Sequence, residues 1–201
     1  MVTRTGKNRR AVRVAEPARY RFTVQQYQRM GEAGILGEDE RVELIRGEII
    51  QMAAIGSRHA AGVNDLNLCL LPQVLGRALL SVQNPVELPE DSEPQPDLLL
   101  LRHREDHYRN HLPLPADVLL AIEVSDRSLA YDLRTKIPLY GERGIPEVWD
   151  WDIPHRQVHV FRKLVDGVYQ EQFIVRPGEV LEPVALPGMR VDVTAIFGPP
   201  P

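Results

Sequence analysis

A single cysteine, Cys69, stands in 201 residues, which excludes an internal disulfide and any cysteine-cluster zinc site. Cys69 sits among leucines and reads as core packing. No apolar run approaches the roughly 20 residues a membrane helix requires. The basic N-terminus is not followed by the apolar stretch of a secretory signal. A cytoplasmic location with no membrane partner is therefore expected. There is no nucleophilic serine elbow, no phosphate-binding glycine loop and no zinc-ligand spacing. Positive charge is also short: 24 Lys and Arg face 28 Asp and Glu, for a net charge of −4 and a pI near 5.9. That balance weighs against a nucleic-acid binder, which usually shows a basic face.

The basic residues are unevenly placed. Arg4, Lys7, Arg9, Arg10, Arg13 and Arg19 crowd the first segment, where Glu16 is the only acid. Residues 1–19 lack periodicity and read as a disordered basic tail, either a solvated terminus or an arm contacting nucleic acid. Residues 20–198 then form one domain, and the 43% hydrophobic content suits a single sizeable core.

The ordered part reads as a mixed α/β (α+β) chain. Thr23 caps a short helix, and RVELIRGEIIQM reads as a hairpin around Arg46-Gly47. Arginine is a poor first residue for a tight primed turn, so a longer loop is expected there. Ser57 caps a helix carrying Ala60, Val63, Leu66, Leu70 and Leu71, which Pro72 ends or kinks. ALLSVQ and PVEL form a broken strand. Strands follow at 97–101 and 118–124, then a helix around 130–143 kinked at Pro138, and a strand at 147–152. A second hairpin turns at Asp166-Gly167, and the chain ends in a short strand and turn. The core order is helix, three strands, helix, strand, with hairpins at both ends.

The acids carry the chemistry. Asp97 follows Pro96 and precedes four leucines, so its carboxylate emerges where a strand leaves the core. Glu123 lies inside the apolar run VLLAIEV, where a glutamate is costly unless paired, hydrogen-bonded or bound to a cation. The bland alternative is a structural salt bridge to Lys136 or an arginine. If the two strands pair antiparallel, the start of one meets the end of the other. Glu43 alternates with Val42 and Leu44 on the first hairpin, the pattern of an outward strand residue or of a third acid; Glu87 shares it more weakly. Lys136 follows on the helix and either orients or deprotonates a water beside Glu123, or pairs with Asp132 on the helix surface. Two or three converging carboxylates suit Mg²⁺, with Mn²⁺ possible. His103, His107 and His111 fall at i, i+4 and i+8, but nearby prolines favour an exposed loop over a ligand stripe. His59 either faces the site or caps and packs, and His155 and His159 lack an acidic companion set.

With these residues in hand the chain resembles the Uma-two family, within the PD-(D/E)XK nuclease superfamily. The resemblance spans roughly residues 20–197 and rests on RVELIRGEI, SRH, NPVEL with EPQPDLLLL, IEVSDRS, YDLRTKIPLYGERGIPEVWDWD and LPGMRVDV. It implies a restriction-endonuclease-like core and Mg²⁺-dependent endonuclease activity. Pro96-Asp97 would supply the PD element, Glu123 the next acid and Glu43 the upstream glutamate. Ser125 stands where the E-x-K element has lysine, and Lys136 matches a lysine the family carries on the next helix. Arg46 departs from the family's Asp-Gly turn. DNA is the expected partner, with RNA left open and a homodimer possible. Two further functions stay open: a catalytically silent nucleic-acid-binding or regulatory module, and a glycosidase whose acids would flank a cleft about 5–10 Å apart.

Overall fold

A computed structural model describes residues 18–37 and 39–197. The expected basic tail therefore lies outside the described residues except for Ala18 and Arg19, and so does residue 198. Helix α1 (Val24–Glu32) opens on Thr23, whose hydroxyl accepts from the Gln26 N–H while Gln26 Oε1 accepts from the Thr23 N–H. This reciprocal cap satisfies two of the helix's orphan donors. Strands β1 (Val42–Ile45) and β2 (Glu48–Gln51) form the first hairpin. The longer loop expected there is not found: Ile45 pairs directly with Glu48, leaving only Arg46 and Gly47, both at positive φ. External bonds hold the arginine in that conformation. Its N–H donates to Ser92 Oγ at 2.8 Å and its guanidinium pairs with Glu142 at 2.7 Å. At Gly47 a Cβ would meet that of Arg21 at 2.6 Å, so glycine is required.

The main sheet has six strands in the order β3-β4-β5-β6-β7-β8: Ala78–Val82, Leu98–Arg102, Val118–Ser125, Val148–Asp152, Gln157–Val165 and Val168–Val175. Only β5 and β6 run parallel, joined by the helical crossover such a pair needs. One face packs on α2 (Ser57–Val74) and α5 (Val193–Phe197) through Leu98, Leu100, Ile122, Val124, Trp149 and Trp151. The other holds Leu99, Leu101, Ala121 and Val148 against Ile137, Leu139 and Tyr140, with Ile45 and Leu88. The second hairpin is thus no appendage but the sheet's outer two strands, turning at Asp166-Gly167 as expected.

Four local expectations are corrected. Ser57 is the first helical residue of α2 and not its cap; Gly56 takes that position without a side-chain bond. Pro72 does not end α2, which runs on to Val74, and Gln73 Nε2 donates to the Cys69 carbonyl in this last turn; Leu71 is 45% exposed and so leaves the core stripe. PVEL is no strand: Val86 and Glu87 donate to Pro94 and Pro113 carbonyls, outside any ladder, although Val86 and Leu88 are fully buried. After β9 (Val180–Leu181) and β10 (Val191–Asp192), the expected final turn is the short helix α5. Cys69 packs partly buried against the core, and His103, His107 and His111 lie exposed in the loop after β4.

The crossover helix is the departure that matters. It consists of α3 (Leu129–Tyr131), a π turn over Asp132–Lys136 and α4 (Ile137–Glu142). Pro138 has no N–H and its ring would strike the carbonyl four residues back. The preceding turn widens, so that the Ile137 N–H donates to the carbonyl of Asp132, five residues earlier. Single π turns of this kind recur at functional sites.

Candidate active site

Strand alternation turns Ile122 and Val124 to one core and Glu123 to the other face. Leu98 pairs with Ile122 in the antiparallel β4–β5 register, and one further step places Asp97 opposite Glu123. Asp97 Oδ2 accepts from the Val124 N–H at 2.9 Å, and Oδ1 takes His59 Nε2 at 2.9 Å. Lys136 Nζ lies 2.9 Å from Glu123 Oε1 and 3.4 Å from Glu43 Oε2, with all three residues at most 4% exposed. Glu43 also accepts from the Gln95 N–H at 3.2 Å, so it points inward and not out from its hairpin. These residues line one cleft of about 560 Å³ with His59, Tyr131 and Asp132. Glu87 is not among the residues lining it.

The surface pair between Lys136 and Asp132 is overturned. Both side chains are buried, and Asp132 Oδ2 accepts from the Ser125 hydroxyl at 2.9 Å. In a π turn, residues four apart lie close to one turn apart, so both reach the same face. The Lys136–Glu123 ion pair is the contact that the sequence also allowed as purely structural.

Three contributors escaped the sequence. Tyr140, four residues after Lys136, donates its hydroxyl to Glu123 Oε1 at 2.5 Å. Tyr131 lines the cleft, and its hydroxyl, buried, has no partner among the described residues; the same holds for His59 Nδ1. Asp150, register partner of Glu123 on β6, is fully buried, and neither oxygen has a hydrogen-bond partner among the described residues. Its signal was present: VWDWD alternates acids with tryptophans, so both acids had to face one side.

Burial pushes the Glu123 carboxyl well up, with Lys136 pulling against it. Burial alone would lower Lys136, but Glu123, Tyr140 and Glu43 together hold its titration above the ordinary lysine range. We take the ammonium as charged, because a carboxylate lies within 3.5 Å on each of two sides. His59 is raised chiefly by its hydrogen bond to Asp97, against desolvation. Burial raises Asp150 to about 8, with Asp132 adding to it and the Ser125 hydroxyl opposing. That hydroxyl's bonding distance is to Asp132, so the opposition is weak. Arg41 and Arg127 line the cleft and set positive charge beside these acids.

The model of a family described as "Putative restriction endonuclease", Uma2, matches residues 24–194. The chain belongs to the Uma2 family. A crystal structure titled as a putative nuclease belonging to DUF820, from Anabaena variabilis, is similar at 18% identity and a TM-score of 0.68. The similarity covers 88% of this chain and 97% of that one, and it bears out the restriction-endonuclease-like fold expected of a Uma2 member. No curated protein matches the chain. No helix among the described residues is long and apolar enough to cross a membrane.

Proposed function

We propose that this Uma2 protein is a Mg²⁺-dependent endonuclease that hydrolyses phosphodiester bonds in DNA. The observation that carries the proposal is the meeting of Glu43, Asp97, Glu123 and Lys136 in one cleft. Asp97 and Glu123 would hold the ion, since two facing hard oxygen donors suit a cation that keeps several of its waters. Mn²⁺ would serve in the same place. When bound, the ion supplies an acidified attacking water and charge stabilisation at the phosphate.

The chain's own residues divide the remaining work. Lys136 places a buried ammonium where charge develops on the phosphate, which is worth most in a low-dielectric site. Tyr140 and Glu43 position Glu123 and Lys136 by hydrogen bond and ion pair. His59 and the Val124 N–H fix the rotamer of Asp97. Arg41 and Arg127 would meet the flanking phosphates and offset the acidic net charge.

One observation favours a second reading, a silent nucleic-acid-binding module. Both acids are already bonded within the protein, and among the described residues no three His, Cys, Asp or Glu side chains form a metal-holding group. The deciding experiment is cleavage of supercoiled and single-stranded DNA with Mg²⁺ or Mn²⁺, comparing the native chain with Asp97→Asn and Glu123→Gln. Metal-dependent cleavage lost in both variants is expected. Equal cleavage by all three would place the activity elsewhere, and metal-independent binding without cleavage would favour the silent module.

A further inference from the structure

A second cavity, of about 420 Å³, opens beside the cleft on the other face of β5. Val124 lines both spaces, and the first turn of α2 divides them: His59 serves the cleft and Arg58 the cavity. Its walls are Leu66, Val124, Ile153 and the rings of Trp151 and Phe197, whose centroids lie 5.2 Å apart. Gly62 completes the wall; a Cβ there would approach Val124 at 3.1 Å and Ile153 at 3.2 Å, so a larger residue would crowd the space. Arg58, Arg156 and Asp65 supply the polar rim. Trp151 is 1% exposed, and its indole N–H has no partner among the described residues. The indole therefore lies just behind the cavity surface, close enough to report on what fills the space.

We propose that this cavity takes one unstacked nucleotide of the strand bound in the cleft, and the proposal rests on the nucleic-acid reading of that cleft. The base is a flat apolar ring, which suits the apolar and aromatic walls, with Phe197 and Ile153 as the more open of them. Its 5′-phosphate suits Arg58 at the rim, and Asp65 suits an exocyclic amino group. Proteins that read single strands commonly splay bases onto aromatic and guanidinium surfaces. The volume falls in the range of small-molecule sites, roughly 300–1,000 Å³. Seating one base here would fix the register of the strand against Asp97 and Glu123.

The two tryptophans make the test specific. Trp149 donates its indole N–H to Glu147 at 2.9 Å and serves as an internal control. In ¹⁵N-labelled full-length protein, deoxyadenosine 5′-monophosphate should move the Trp151 indole resonance saturably and leave that of Trp149 in place. Arg58→Ala should weaken the monophosphate roughly threefold, the scale of an exposed charge contact, without affecting deoxyadenosine. Ala61→Trp, at an exposed position on the cavity wall, should abolish the response to both. A single-stranded deoxyoligonucleotide added to Asp97→Asn protein should move the same resonance.

A Trp151 resonance that stays still up to the solubility limit overturns the proposal, as does a full response in Ala61→Trp. A response to the monophosphate but not to the strand assigns the cavity to a free nucleotide and overturns the strand reading. The two readings fail separately. Cleavage with a silent Trp151 sinks only the cavity, whereas a responding Trp151 without cleavage leaves the cavity standing and removes the hydrolase.

Discussion

Replacing Lys136 by methionine isolates charge from volume. Methionine keeps a similar unbranched stem, so packing changes little. What disappears is the ammonium 2.9 Å from Glu123 and 3.4 Å from Glu43, in a residue only 4% exposed. Removing one partner of a buried ion pair costs about 3–5 kcal/mol, because it strands a charge away from water. In a domain of this size each kcal/mol shifts the melting temperature by about 2–4 °C, so Lys136→Met should melt roughly 6–20 °C lower. The pH dependence fixes the cause. Glu123 already titrates above its unfolded value, and without the ammonium it should rise further. A carboxyl with a raised folded pKa loses stability as pH climbs from its unfolded pKa through the folded one. The deficit should therefore be largest near pH 8 and shrink towards pH 5. Urea unfolding at roughly those two values, for Lys136→Met, Glu123→Gln and the double variant, measures it. The double variant should recover most of the loss, since the stranded acid is gone. Full wild-type stability of Lys136→Met at the higher pH, or strictly additive losses, would refute the reasoning.

Other consequences follow from the same geometry. Mg²⁺ or Mn²⁺ should raise the melting temperature by binding only the native state, and Asp97→Asn should abolish the shift; a shift retained in full would remove the ion from this cleft. The Asp150 carboxyl, near 8 when folded against about 3.8 unfolded, should oppose folding by up to about 4 kcal/mol at neutral pH, with stability rising as pH falls from about 8 towards 4. Asp150→Asn should flatten that slope and gain about 1–3 kcal/mol near pH 7, after the cost of burying an amide. An unchanged slope in thermal melts would contradict this. His59, raised by Asp97, stabilises the fold below its unfolded pKa of about 6.5 and loses that contribution as pH rises through its higher folded value. NMR titration of Asp97→Asn should show a lower His59 pKa than in the native chain, and an identical midpoint would sever the link.

The residues that announced themselves were those in conflict with their surroundings. Glu123 amid VLLAIEV could not be explained by strand propensity, and its register partner Asp97 followed from antiparallel pairing alone. Glu43 was ambiguous because alternation gives the face of a residue but not which face meets the core, and a two-stranded hairpin has no obligatory inside. Tyr140 and Tyr131 left no such signal: an aromatic on a helix reads as packing, and Tyr140 does pack in the core while donating to Glu123. The tight Arg46-Gly47 turn was hidden for a related reason. Ser92 and Glu142 support it from 46 and 96 positions away, beyond any local rule.

Lys136 ties these points together. In an E-x-K element the lysine would project from the strand at position 125, one residue past Val124 and on the same face as Glu123. Here Ser125 is fully buried at that place and engages Asp132, so the slot beside the acid is filled from above. An ordinary α-helical turn advances 100° per residue, which spaces residues i and i+4 about 40° apart around the axis. Asp132 and Lys136 thus share one face of the widened turn, where Asp132 holds Ser125 and Lys136 reaches Glu123. Pro138 enforces the widening two residues later. The proline that appeared to disfavour the helix thus has a definite place in the site: it fixes the turn from which the ammonium reaches two acids carried by other strands.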